Sequence, residues 1–233
     1  MVLDRRESII VRENPKSPVS EAYRVLRTNL EFASLDGQLK CFLFTSSGPN
    51  EGKSTTVSNL AVAAAQTGAK VLLIDGDLRS PTLHRVFQCS NRKGLTSVLV
   101  GRETAAEVIQ QLDEANLFLL PTGPIPPNPA ELLGTERMKE LLSQVRQEYD
   151  YIYIDAPPVL AVTDAAVLSR RVDGVILVVA SGMTHRKALI EARDRLARVN
   201  ANLLGVALVR AKFDSEYQSY YYYYYSTEAA AFE

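Results

Sequence analysis

Residues 41–55 read CFLFTSSGPNEGKST. The run Cys41 to Phe44 is apolar without alternation, as in a strand covered on both faces of a parallel sheet. A polar loop follows, and Lys53-Ser54-Thr55 opens a helical pattern that extends from Ser54 to Thr67. Strand, loop, then GKS at a helix start is the context that a phosphate-binding loop requires. Gly52 lets the backbone curl so that successive N–H groups point at phosphate oxygens. The helix N-terminus adds the positive end of its dipole. In such a loop Lys53 reaches the β- and γ-phosphates and the Ser54 hydroxyl is a magnesium ligand. The predicted nucleotide cradle is Ser47, Gly48, Pro49, Asn50, Glu51, Gly52, Lys53, Ser54 and Thr55. Ser47 stands where the first glycine of GxxxxGK[ST] usually falls.

Further apolar runs lie at Val71 to Ile74, Leu117 to Leu120, Tyr151 to Ile154, Val175 to Val179 and Leu203 to Val209. Most are continuous, and helical patterns at Glu131 to Gln147 and Thr184 to Val199 supply crossovers. The expected fold is a doubly wound, mostly parallel α/β sheet of the P-loop NTPase type, with its ligand at the carboxyl ends of the strands. Residues 1–16 read as an extended arm. Ser17 caps a helix that begins at Pro18, with an apolar stripe at Ala22, Leu26 and Leu30. Residues 17–212 form the predicted domain, and 213–233 a tyrosine-rich tail.

The 233 residues are 46% hydrophobic and 23% charged with a formal net charge of -1, which gives no sign of a nucleic-acid partner. No window approaches 18 consecutive apolar residues, and Asp4, Arg5, Arg6 and Glu7 make the N-terminus charged, so neither a membrane span nor a signal peptide is expected. Cys41 and Cys89 read as buried or half-buried thiols in a reducing compartment. His84 and His185 stand apart, which argues against zinc.

Phosphoryl transfer needs a metal near the β- and γ-oxygens and a group that handles the acceptor hydroxyl. YIYIDAPP at 151–158 reads as a Walker B strand, with Asp155 at its end facing magnesium. VLLIDGDLR at 71–79 places Asp75 and Asp77 at i and i+2, on one side of an extended chain. One of the pair suits the metal shell and the other a hydroxyl proton; the alternative is an Asp-Gly-Asp turn that caps the next segment.

TSSGPNEGKST (45–55), LLIDGDLR (72–79) and YIYIDAPP (151–158) together resemble the bacterial tyrosine kinases of capsule and exopolysaccharide export. The hydrophobic-DxDxR strand, called Walker A′ in that family, is the specific element. The resemblance extends over nearly the whole chain: SEAYRVLR (20–27) matches an ExxRxxR helix and PPNPAELL (126–133) a further stretch. It implies an ATP- and Mg2+-dependent protein-tyrosine kinase. Lys53, Asp75 and Asp77 would be catalytic, with Asp75 the base for the tyrosine hydroxyl. Ser54, Asp77 and Asp155 would surround the metal. Glu21, Arg24 and Arg27 would contact a neighbour in a ring-like homo-oligomer, as exposed charges. A solvated helix face is the plainer reading of those three. The resemblance also implies a transmembrane polysaccharide co-polymerase-type activator, and a cytoplasmic protein recruited to the inner face of the plasma membrane. Relatives usually carry asparagine after the stretch equivalent to Gly205 to Leu208; here Val209 and Arg210 follow, which leaves the adenine contacts unassigned.

Seven of the eleven tyrosines are Tyr217, Tyr220, Tyr221, Tyr222, Tyr223, Tyr224 and Tyr225. Alone, such a run could be an aggregation-prone strand or could pack on the domain. Attached to a kinase it reads as a set of phosphoacceptors, carried to a neighbour's cleft by a chain end. The competing reading of the whole chain is a MinD/ParA-type ATPase switch. Those ATPases carry a signature lysine five residues before the P-loop lysine, where this chain has Gly48.

Overall fold

The computed structural model describes residues 9–33 and 38–211. Seven strands form one sheet: β1 (Cys41–Ser46), β2 (Val71–Asp75), β3 (Gln110–Gln111), β4 (Leu117–Leu120), β5 (Tyr151–Asp155), β6 (Gly174–Ala180) and β7 (Leu203–Val209). Their order is β3-β4-β2-β5-β1-β6-β7. All neighbours are parallel except β3 and β4, which pair antiparallel. β1 is central, between β5 and β6, so the loop that follows it opens at the middle of the carboxyl edge.

Every residue of β1, β2 and β6 is buried, which is why these strands read as unbroken apolar runs. Alternate side chains feed two cores. Phe42, Phe44, Leu73 and Tyr153 pack on one face under α3 (Lys53–Ala65), with Phe44 and Tyr153 meeting edge to face at 5.7 Å. Leu43, Leu72, Ile74, Ile152 and Leu177 pack on the other, under α8 (Glu136–Glu148), α9 (Asp164–Ser169) and α10 (Arg186–Arg198). Small side chains from Ala61 to Ala65 let α3 lie close against the sheet, buried on nearly every side.

Several expectations are corrected. The described part of the supposed extended arm contains a helical turn, α1 (Ile10–Glu13), with Ile9 and Val11 buried. The Val11 N–H donates to Asn59 Oδ1 at 3.1 Å, and the Ser20 hydroxyl donates to the Ile10 carbonyl. Two apolar side chains inside a charged stretch were enough to dock it. α2 (Pro18–Ala33) starts where expected, and the Ser17 hydroxyl accepts from the Ser20 N–H at 3.0 Å. Its inward face is rotated from the predicted stripe, however: Ser20 and Leu30 are buried while Ala22 is exposed. The pattern at Glu131 to Gln147 is two helices, α7 (Pro129–Leu133) and α8, separated at Gly134 and Thr135. β3, two polar glutamines at an edge, had no apolar signal to betray it.

Beyond β4, the loop at 121–123 crosses the start of α5 (Leu95–Leu99). Leu95 and Thr96 N–H groups donate to the Pro121 and Thr122 carbonyls at 2.8 and 2.9 Å. A Cβ on Gly94 would lie 2.1 Å from the Pro121 carbonyl oxygen, and Gly123 has φ +79° with the Gly94 nitrogen 2.8 Å from its would-be Cβ. Thr122 sits between these glycines and donates its hydroxyl to the Asp75 carbonyl at 3.0 Å.

Candidate active site

Three strands deliver the site. β1 runs into the loop at 47–52, while β2 and β5 end in Asp75 and Asp155, which are register partners on adjacent strands and fully buried. In the loop, Asn50 (φ 60°) and Gly52 (φ +89°) both adopt left-handed backbone, and α3 begins at Lys53. That curl brings amide groups to the helix N-terminus, as a phosphate cradle needs.

Ser47 departs from glycine for a visible reason. Its N–H and hydroxyl donate to the Glu51 carboxylate at 3.0 and 2.8 Å, and Glu51 is only 5% exposed. The Glu51 side chain thus braces the loop from within. At the loop's flank, Arg210 donates to the Asn50 carbonyl at 3.2 Å, which ties the end of β7 to the loop. Neither contact carries a sequence signal beyond the residues themselves.

Lys53 Nζ lies 3.4 Å from Asp77 Oδ2. Burial alone would pull the ammonium down, but Asp155, Asp77 and Asp75 together outweigh it and raise its pKa. The Ser54 hydroxyl donates to Asp155 Oδ2 at 2.5 Å. β2 stops at Asp75, so Asp77 does not share the strand's alternation and arrives through a turn instead. Its Oδ1 accepts from the Arg79 and Ser80 N–H groups at 3.3 and 3.0 Å, while Oδ2 faces Lys53. The turn-capping and cleft-facing readings of this aspartate are therefore both realised, one on each oxygen.

Asp75 Oδ2 accepts from the Thr82 and Leu83 N–H groups at 3.1 and 3.0 Å. Burial pushes its pKa up to about 7, helped by the charges of Asp155 and Asp77 and opposed by those two hydrogen bonds. Its Oδ1 is buried and has no hydrogen-bond partner among the described residues. An orphaned carboxylate oxygen beside two further carboxylates fits a site that receives a cation or a hydroxyl proton. No three-carboxylate metal cage is preformed among the described residues. Magnesium in a P-loop site needs none, since one or two carboxylates, waters and phosphate oxygens complete its shell.

Sequence reasoning missed Asp164. Fully buried at the start of α9, it takes both Arg79 Nε and Nη2, at 3.0 and 3.1 Å. This fork fixes the far side of the Asp77 turn. The only hint was the arginine of the DxDxR pattern.

Glu21, Arg24 and Arg27 do not form the fully exposed set expected. Arg27 is 19% exposed and donates to the Ala63 carbonyl at 3.2 Å, pinning α2 to α3, with Glu31 at 3.2 Å. Arg24 bonds Glu21 at 2.9 Å and the Pro15 carbonyl at 2.7 Å. Cys41 is buried and Cys89 half-buried. The tail tyrosines Tyr217 and Tyr220 to Tyr225 lie outside the described residues, as do residues 1–8. No helix among the described residues is long and apolar enough to cross a membrane.

A family model described as an AAA domain matches residues 48–203. The chain is 47% identical over 215 residues to the tyrosine-protein kinase YwqD of Bacillus subtilis, covering 92% of this chain and 90% of that one. The kinase domain of the Escherichia coli tyrosine kinase ETK matches with a TM-score of 0.86 at 36% identity, over 89% of this chain and 82% of that one. Full-length Etk is a longer protein, of which this chain spans 27%. The septum site-determining protein MinD of Pyrococcus horikoshii shares the fold at 24% identity, 79% and 77% coverage and a TM-score of 0.64. The kinase reading is thus better supported than the ATPase-switch reading, whose fold the chain shares.

Proposed function

The chain belongs to the bacterial tyrosine-protein kinase family, and from that membership we propose that it transfers the γ-phosphoryl group of ATP to tail tyrosines of a neighbouring copy. The acceptors in this reading are Tyr217 and Tyr220 to Tyr225. The observation that carries the proposal is the Asp75 carboxylate: buried, orphaned at one oxygen, raised to about 7, and set beside the Lys53–Asp77 and Ser54–Asp155 pairs.

The loop amides of Gly48 and residues 50–54 and the α3 N-terminus hold the phosphates, and Lys53 stabilises the charge that builds on the transferred group. Ser54, Asp155 and Asp77 would hold magnesium, which when bound neutralises the β- and γ-oxygens. Asp75 accepts the phenol proton at Oδ1, because Oδ2 is already occupied by two backbone donors. A base that titrates near neutrality combines the correct protonation state with driving force. Arg79 and Asp164 keep the Asp77 turn in place.

Contact between copies is assigned to α2 and β7. Exposed Val19, Ala22 and Val25 flank Glu21 and Arg24, and the edge strand exposes Val206 and Leu208. Such an apolar surface suits coverage by a neighbour. Arg27 serves this contact indirectly, by anchoring α2. Recruitment to the membrane is assigned to a separate transmembrane activator of the polysaccharide co-polymerase type, and the process served is capsule or exopolysaccharide export.

Intact mass after incubation with MgATP tests the reading. Wild-type protein should gain several phosphates mapping to residues 217–225, and Lys53→Met should gain none while remaining folded. ATP turnover without added mass, or a normal phosphotyrosine signal in Lys53→Met, would overturn it.

A further inference from the structure

The site's carboxylates Asp75 and Asp155 close the carboxyl ends of their strands, and a basic groove lies towards the amino ends. Between α8 and the end of α9 lies a groove of about 460 Å³, lined by Lys139, Arg146, Arg170 and Arg171 around an apolar floor of Leu142 and Val172. One carboxylate, Asp173, also lines it. That group is already engaged, since its Oδ2 accepts from the Lys40 and Cys41 N–H groups, each at 2.8 Å, and from Arg146 Nη1 at 2.6 Å. Lys139 pairs with Glu136 at 2.6 Å, but both are about two-thirds exposed, so water screens that pair.

We propose that this groove is a receptor for phosphotyrosine, and that its occupant is the phosphorylated tail of the same copy of this chain. The inference rests on the tail phosphorylation proposed above. The chemistry of the lining selects the ligand. Three of the four cations are arginines, whose planar forks match phosphate oxygens. Two are held in place before any ligand arrives: Arg146 by Asp173 and by the Arg171 carbonyl at 3.3 Å, and Arg171 by the Gly134 carbonyl. Preorganised donors lose less entropy on binding. Leu142 is buried at the base of the groove, and the half-buried Val172 supplies the accessible apolar part of its floor. A bare phosphate would use only the cations, whereas a phosphotyrosine uses the floor as well, through its ring.

The later tail tyrosines have the length of chain to pass from one edge of the sheet to the other. Tyr225 lies 14 residues beyond Ala211, a span of up to roughly 46 Å when extended. The seven-residue strands separating the two edges of the sheet are only about 23 Å long. Each phosphotyrosine carries close to two negative charges, which Asp75, Asp77 and Asp155 repel and this groove attracts. Capture here would clear the cleft of product.

The test is fluorescence anisotropy with the full chain carrying Lys53→Met, so that its own tail stays unmodified. The probe is a labelled synthetic peptide of residues 213–226 phosphorylated at Tyr217 and Tyr221. Saturable binding is expected, at least tenfold weaker for the additional pair Lys139→Glu and Arg170→Glu, which alters exposed side chains only. The unphosphorylated peptide should not saturate, and inorganic phosphate or a phosphoserine peptide of equal charge should compete at least tenfold less well. Equal binding to the charge-reversed variant, equal competition by phosphate or phosphoserine, or no binding at all would each overturn the proposal. So would attachment to phosphatidylserine vesicles through these residues without peptide binding, which would mark a membrane-facing surface. Because the peptide is made already phosphorylated, a negative result leaves the transfer activity standing. Absence of tail phosphate in the intact-mass experiment would overturn that activity without altering the measured affinity.

Discussion

Asp75→Asn should make the nucleotide-free protein more stable while abolishing transfer. In the folded chain the Asp75 carboxyl titrates near 7, against 3.8 for an unperturbed aspartate. Between those pH values the folded state holds a proton that the unfolded chain has released. Stability contributed by Asp75 is therefore complete below about pH 4, declines as pH rises towards 7, and stays lost above it. The difference of about 3 units corresponds to an upper limit of about 4 kcal/mol. Asp155 and Asp77 cause part of the rise, and neighbouring groups readjust, so a gain of about 1–3 kcal/mol from removing the charge is expected at pH 8. The asparagine carbonyl can still accept from Thr82 and Leu83, so the local turn is preserved. Urea denaturation in EDTA at pH 8 and pH 5 measures this. The variant should have the higher midpoint at pH 8, and most of its advantage should be gone at pH 5. Equal shifts at both pH values, or a destabilised variant at pH 8, would refute the reasoning.

Arg27→Ala should destabilise the monomer by about 1–2 kcal/mol in urea melts, since it strips a partly buried donor from the Ala63 carbonyl. Glu21→Ala with Arg24→Ala should change stability by under about 1 kcal/mol yet lower the mass seen by light scattering; an unchanged mass returns both to a solvated face. Asp164→Ala should cut transfer more than tenfold and destabilise by about 1–3 kcal/mol, the half-exposed Arg79 limiting the loss; transfer kinetics and melts read both. A Lys53→Met subunit should be phosphorylated in trans by an active subunit whose tail tyrosines are phenylalanine, and full phosphorylation should reduce the particle size; label confined to the active subunit would defeat the trans mechanism.

The central strands were legible because burial on both faces leaves no polar residue to interrupt them, and the phosphate loop because its chemistry demands glycine, lysine and a hydroxyl in one order. Asp75 and Asp155 followed, since each closes an apolar run. The rest depended on distant partners. Asp77 needed the end of β2 to be known, and Asp164 meets Arg79 across 85 residues. The inward face of α2 is set by Ser20 reaching α1, a polar contact that an apolar stripe cannot reveal. The basic groove draws on α8 and the segment after α9, each of which alone looks like an ordinary charged surface.

The Gly94–Gly123 crossing has a consequence for how this chain can diverge. Neither position has room for a methyl group, and Thr122 between them holds the carbonyl of Asp75. In a saturation mutagenesis map, both glycines should score as intolerant although neither carries a functional group. Substitutions there should depress activity in molecules that still accumulate at normal abundance, because the backbone beneath the proton acceptor shifts before the sheet gives way. A lineage can therefore vary the acceptor tail far more freely than this silent crossing.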